Sequence, residues 1–103
     1  MAKDMLNWLF GKDKSGGARQ APAYEKAREI AATGSEKERT KLARFEDLDP
    51  EFLYYFATDE SADVRHAVAG NEGTPLQADR LLAEDKNDRV RIELAGKIGK
   101  LIP

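Results

Sequence analysis

Apolar and polar positions along this chain follow a helical spacing, and much of the pattern is written twice. From Phe56 the chain reads Phe56-Ala57-Thr58-Asp59, then Val64-Arg65, then Val68-Ala69. From Leu82 it reads Leu82-Ala83-Glu84-Asp85, then Val90-Arg91, then Leu94-Ala95. Each position returns after 26 residues, and a weaker copy at the same offset places Ile30-Ala31, Arg39 and Leu42-Ala43. A fixed period of this length marks stacked units, none of which buries its apolar face alone.

Start and stop signals divide each unit into two short helices. Pro22 suits a first helical turn, and Ala23, Tyr24, Ala27, Ile30 and Ala31 then form one apolar stripe that Gly34 ends. Ser35 with Glu38 three residues on is a capping box, opening a helix that turns Leu42 and Ala43 inward. Asp49-Pro50 is the next start, with Phe52, Leu53, Phe56 and Ala57 on one face. Ser61 caps a helix with Val64, Ala67 and Val68 inward, closed by Gly70-Asn71. Thr74-Pro75-Leu76-Gln77 reads as a second capping box, and its helix presents Ala78, Leu81 and Leu82. Asn87 caps the last helix, which is expected to bury Val90, Leu94 and Ile98, with Gly96 and Gly99 weakening its end. No β alternation interrupts this. The expected fold is all-α, built from about three two-helix units.

Ahead of the repeats the chain changes character. Residues 1–11 form an apolar N-terminal segment in which Met5, Leu6, Trp8, Leu9 and Phe10 cover more than half a helical circumference. Residues 12–21 read as a flexible linker, with Lys12 and Lys14 at its start. Residues 22–103 are the repeat domain. Gly16-Gly17 lacks the lysine and hydroxyl of a phosphate loop and belongs to the linker.

Composition removes several kinds of chemistry. With 103 residues there is chain for one domain, and with no cysteine there are no disulfides, thiolate metal sites, iron–sulfur clusters or cysteine nucleophiles. His66 is the single histidine, without a nucleophile, acid pair or ligand set beside it in sequence, so neither a catalytic residue nor a metal site is assigned. No cofactor is expected. The apolar runs are too short for a membrane-spanning helix, and the N-terminus lacks a signal peptide's h-region, so the expected location is cytoplasmic, with peripheral membrane attachment as the alternative. The net charge of −2 divides into +3 over residues 1–41 and −5 over residues 42–103. The acidic repeats argue against broad nucleic-acid binding.

At Leu53 to Ala95 the pattern Leu-Ala-x-Asp, Val-Arg, Val-Ala-x-Asn, Thr-Pro resembles leucine-rich-repeat-variant and short HEAT-like helical repeats. In particular it resembles an uncharacterised bacterial family, common in alphaproteobacteria, in which such repeats open a longer chain. A weaker match covers residues 30–52, and residues 1–21 are not covered. The resemblance implies a right-handed α-solenoid that presents a surface to partners, and it implies no enzymatic activity. The iron–sulfur domain of the founding leucine-rich-repeat-variant protein does not carry over to a chain without cysteine. Longer members continue beyond the point equivalent to Pro103, so this chain reads as a short member or a truncated one.

Within that frame some residues stand out. Asp59 with Arg65 and Asp85 with Arg91 recur at a six-residue separation, and a structural ladder is the expected role, the arginine fork bonding aspartates or turn carbonyls. The alternative offers Arg39, Arg65, Arg89 and Arg91 to phosphates. Alanines 31, 57 and 83, with 43, 69 and 95, mark close helix approaches. Tyr54 and Tyr55 flank the buried stripe of their helix and, with Phe52, make it unusually aromatic. They suit partner contacts, or equally packing under the Tyr24 helix or the N-terminal segment. Trp8, Leu9 and Phe10 are candidate partner-binding residues as well. Their segment could dock on the repeats, bind another protein's groove, or lie on a membrane with residues 5–14 as anchor. Ile98, Leu101 and Ile102 are expected to pack inward or to meet another chain. The reading as a whole is a non-catalytic protein-binding adaptor, with another protein as partner and self-association through either end as a further expectation.

Overall fold

A computed structural model of the chain describes residues 20–102, and among these six helices and no strand are found. They are α1 (Tyr24–Thr33), α2 (Glu36–Leu42), α3 (Pro50–Phe56), α4 (Ala62–Gly70), α5 (Leu76–Leu82) and α6 (Asp88–Leu101). The apolar segment over residues 1–11 and most of the expected linker lie outside the described residues.

Caps explain most helix starts. Glu38 N–H donates to Ser35 Oγ at 3.1 Å, and Ser35 N–H donates to Glu38 Oε1 at 2.7 Å, completing the capping box of α2. Asp49, Ser61 and Asn87 accept first-turn amides of α3, α4 and α6 through their side chains. Each such cap satisfies a donor the helix cannot satisfy itself. Two starts differ from expectation. Helix α1 begins at Tyr24 after an exposed Ala23, leaving Pro22 outside. Thr74 does not cap α5: its hydroxyl donates to the Val68 carbonyl at 2.8 Å, closing the end of α4, and Pro75 is the residue before the helix.

The sequence period reappears as columns in the core. Ile30, Phe56 and Leu82 are all buried, as are Leu42, Val68 and Leu94. Burying side chains of this size contributes roughly 1.5–3 kcal/mol each. The third column is Glu38, Val64 and Val90, also buried, with the glutamate tolerated because it is committed to the capping box. Packing follows the period too. Helix α1 meets α3, and α3 meets α5; helix α2 meets α4, and α4 meets α6. Each odd helix also packs on the even helix after it.

The last unit departs from the pattern. Ala57 and Ala69 are buried, but their equivalents Ala83 and Ala95 are exposed. Leu81 and Ile98, expected inward, are exposed, and Lys97 takes the buried position instead. The geometry is that of α6 itself. Val90, Leu94 and Lys97 share its inner face at helical spacing, which turns Ile98 away. Ile98, Leu101 and Ile102 therefore do not pack inward, and α6 runs through Gly96 and Gly99 to Leu101.

Candidate protein-binding surface

The repeated arginines and aspartates form rungs between successive units. Arg39 Nε and Nη2 donate to the Asp59 carboxylate at 2.8 and 3.1 Å, and its Nη1 donates to the Gly34 carbonyl at 2.8 Å. One unit on, Arg65 Nε and Nη2 donate to Asp85 at 2.8 and 3.3 Å, and its Nη1 donates to the Asp59 carbonyl at 2.7 Å. Arg65 thus takes the backbone of its own unit's aspartate and the carboxylate of the next unit's. Each aspartate also accepts an amide from the turn after it, Ser61 N–H for Asp59 and Asn87 N–H for Asp85, both at 2.9 Å.

Electrostatics follow from this geometry. Burial pushes the Asp85 carboxyl up, but hydrogen bonds from Arg65 and Asn87 and the Arg65 charge more than offset it, leaving the group below its ordinary value. The hydrogen bond to Asp59 holds the Arg39 guanidinium above its usual range. These bidentate pairs are spent inside the protein. Arg89 stands 3.8 Å from Asp63. Arg39 and Arg65, two of the arginines that could have faced phosphates, are thus committed to buried carboxylates.

The third rung is different. Arg91 Nη1 donates to the Asp85 carbonyl, repeating the contact of Arg65 with Asp59, but its Nη2 turns to Asp88 in the same helix. Its side chain is 41% exposed, against 9% for Arg65. Arg91, Ala95 and Ile98 follow one another at helical spacing along α6, with Ile102 just past its end, and all four are exposed. In α4 the equivalents Arg65 and Ala69 are buried, and so is Ala43, the residue that follows α2. The stripe on α6 therefore exposes two positions that the preceding unit buries, a guanidinium and a small residue, next to the branched apolar Ile98.

The aromatic residues divide between core and surface. Phe52 is a core residue, so its ring serves packing before any partner. It lies 5.1 Å from the Tyr24 ring, centroid to centroid. Tyr54 and Tyr55 are both exposed. Tyr55, Tyr24 and the edge of Phe52 line an apolar groove of about 320 Å³ between α1 and α3, with Ala31 and Ala32 along its wall. The Tyr24 hydroxyl donates to the Glu51 carboxylate, which pushes its phenol pKa up. Trp8, Leu9 and Phe10, together with the membrane-anchor reading of residues 5–14, fall outside the described residues. His66 Nε2 lies 3.3 Å from Glu93 Oε1.

Two polar residues at unit junctions escaped the sequence reading. Asn71, buried, donates from Nδ2 to the Ala43 and Phe45 carbonyls at 2.8 and 2.9 Å and accepts the Gly73 amide at 2.7 Å. Lys97, also buried, donates from Nζ to the Asn71 carbonyl at 3.0 Å and to Asp79 Oδ1 at 2.7 Å. The signal was present in part, since Asn71 and Lys97 stand at the repeat offset of 26. A lysine is seldom read as buried, however. Among the described residues no helix is long and apolar enough to cross a membrane, and no group of three acidic or histidine side chains could hold a metal ion.

No protein-family model, no curated protein and no solved structure matches the chain.

Proposed function

We propose that the repeat units form a short α-solenoid and that the protein is a non-catalytic protein-binding module, an adaptor whose contact surface is the exposed stripe of α6. The carrying observation is the third rung: Arg91 keeps its Asp85 carbonyl while its side chain stands open beside Ala95, Ile98 and Ile102. Exposed apolar residues grouped with a charged anchor favour a protein partner. A partner suited to this stripe brings a carboxylate to Arg91 and an apolar helix to the alanine and isoleucines. Charge-assisted pairing of this kind is strong and directional.

A photo-crosslinking residue at position 95 tests the reading, with position 72, exposed in the turn after α4, as the comparison. Expressed in the native cell, the chain should give a discrete adduct with another polypeptide from position 95 and none from position 72. Arg91→Glu should abolish that adduct. Silence at position 95 with adducts from position 55 would move the interface to the aromatic rim and overturn the assignment to α6.

A further inference from the structure

We propose that the groove between α1 and α3 is the docking site of the chain's own apolar segment, residues 5–10. The argument starts from the groove. Its surface is mostly apolar, lined by the core residue Phe52, the half-exposed Tyr24 and Tyr55 and two alanines, with Arg28 and Glu51 as its charged members. No equivalent aromatic pair exists one unit on: Pro50 stands 26 residues after Tyr24, and Arg80 stands 25 residues after Tyr55. The feature is thus specific to the first two units, where the preceding chain enters.

Four observations choose the occupant. The first is the tether. Ala21 N–H donates to both Asp47 carboxylate oxygens, at 3.0 and 3.1 Å, and Ala21 packs against the core. The chain is therefore fixed three residues before Tyr24, which lines the groove. A short tether supplies an effective concentration in the millimolar range, so a modest apolar contact suffices.

The second is length. From Tyr24 to Ala32 the groove wall extends about 12 Å, and any six residues of helix measure about 9 Å. Residues 11–20 can span about 33 Å when extended, more than any point of the groove requires.

The third is charge. The stretch between segment and fold carries Lys12, Lys14 and Arg19 against one acid, Asp13. The surface it must cross carries Asp47, Asp49 and Glu51 at the start of α3, all exposed. The fourth is chemistry. Met5, Leu6, Trp8, Leu9 and Phe10 present aromatic and flexible apolar side chains to a groove of tyrosines and alanines, where offset ring contacts add to simple burial.

The proposal is independent of the role given to α6. It assigns the aromatic groove an internal ligand.

Trp8 is the chain's only tryptophan, so its fluorescence reads the segment directly. In the full-length chain, Trp8 emission should be blue-shifted and several-fold less accessible to acrylamide than free tryptophan, with no dependence on protein concentration. Tyr55→Glu and Ala32→Glu, at exposed groove positions, should move the emission to that of a solvated indole, while Ile92→Glu on α6 should leave it unchanged. Because the chain has no cysteine, disulfide trapping gives a second readout: Phe10→Cys should link intramolecularly to Ala32→Cys and not to Ile92→Cys. Circular dichroism of each variant establishes that it is folded. Solvated Trp8 in the unaltered chain, whether or not anionic vesicles then shift it, would overturn the proposal. So would shielding that grows with concentration, which denotes a second copy, or shielding that both groove variants leave intact.

Discussion

Arg65 reaches 20 residues along the chain to grip the Asp85 carboxylate, while its free arm holds the carbonyl of Asp59 in its own unit. One residue thereby ties the turn before α4 to the turn before α6. Arg39 does the same one unit earlier with Asp59 and Gly34. The consequence is that each turn is fixed by its neighbour's arginine, and the cost of losing a rung is shared by two units.

Arg65→Ala should lower stability by about 3–5 kcal/mol, because it leaves a buried Asp85 carboxylate without its counter-ion. Arg65→Lys should recover only part, since an ammonium cannot reproduce the fork. Urea unfolding followed by circular dichroism measures both. An unchanged midpoint for Arg65→Ala would remove the structural role of the rung.

Asp85 sets an acid limit. Its folded pKa is depressed, so its contribution is complete above the unfolded-state value of about 3.9. It is lost progressively as pH falls below that value, through the folded pKa. Unfolding midpoints taken from pH 5 downward, to about pH 2, should therefore drop more steeply for the native chain than for Asp85→Asn.

The Lys97–Asp79 pair should behave as a coupled unit. Lys97→Met should cost about 3 kcal/mol by stranding Asp79 and the Asn71 carbonyl. Adding Asp79→Asn should restore part of that loss. A double-mutant cycle measures the coupling, expected at about 1–3 kcal/mol. Strict additivity would show that the two groups do not interact in solution.

Small residues give predictions of opposite sign. A Cβ on Gly73 would collide with the backbone carbonyl of Glu46, so Gly73→Ala should destabilise by about 1–3 kcal/mol. A Cβ on Gly96 meets nothing within 4 Å inside α6, so Gly96→Ala should stabilise by about 0.4–1 kcal/mol. Alanines at one repeat position should also separate. Ala57→Leu should cost about 1–3 kcal/mol, whereas Ala83→Leu should stay within about 0.5 kcal/mol. Thermal melts of the four variants suffice to check the signs.

The sequence was most informative where local chemistry decides structure. The caps at Ser35, Asp49, Ser61 and Asn87 need only neighbouring amides, and all four are made. The three core columns follow from a period that a single chain displays to itself. The reading failed where an environment, not a spacing, chose the outcome. Thr74 has the spacing of a cap, yet a buried Val68 carbonyl claims its hydroxyl. Lys97 displaces Ile98 from the inner face because Asp79 and the Asn71 carbonyl meet there, two acceptors that sequence distance conceals. The alanines were expected to mark close helix approaches in every unit, but an approach needs a neighbour, and Ala83 and Ala95 face open surface. The α1–α3 groove was legible only as an aromatic excess around Tyr54 and Tyr55.

The rungs also have a sense of direction. The Arg39 and Arg65 rungs both run from an arginine in an earlier unit to an aspartate in the next, whereas Arg91 turns back to Asp88 of its own helix. At the repeat position of Asp59 and Asp85 the first unit carries Thr33, whose hydroxyl is already given to the Glu29 carbonyl. The first unit's outer turn therefore offers a neutral hydroxyl where each later turn offers a carboxylate, so the two ends of the described helices are chemically unlike.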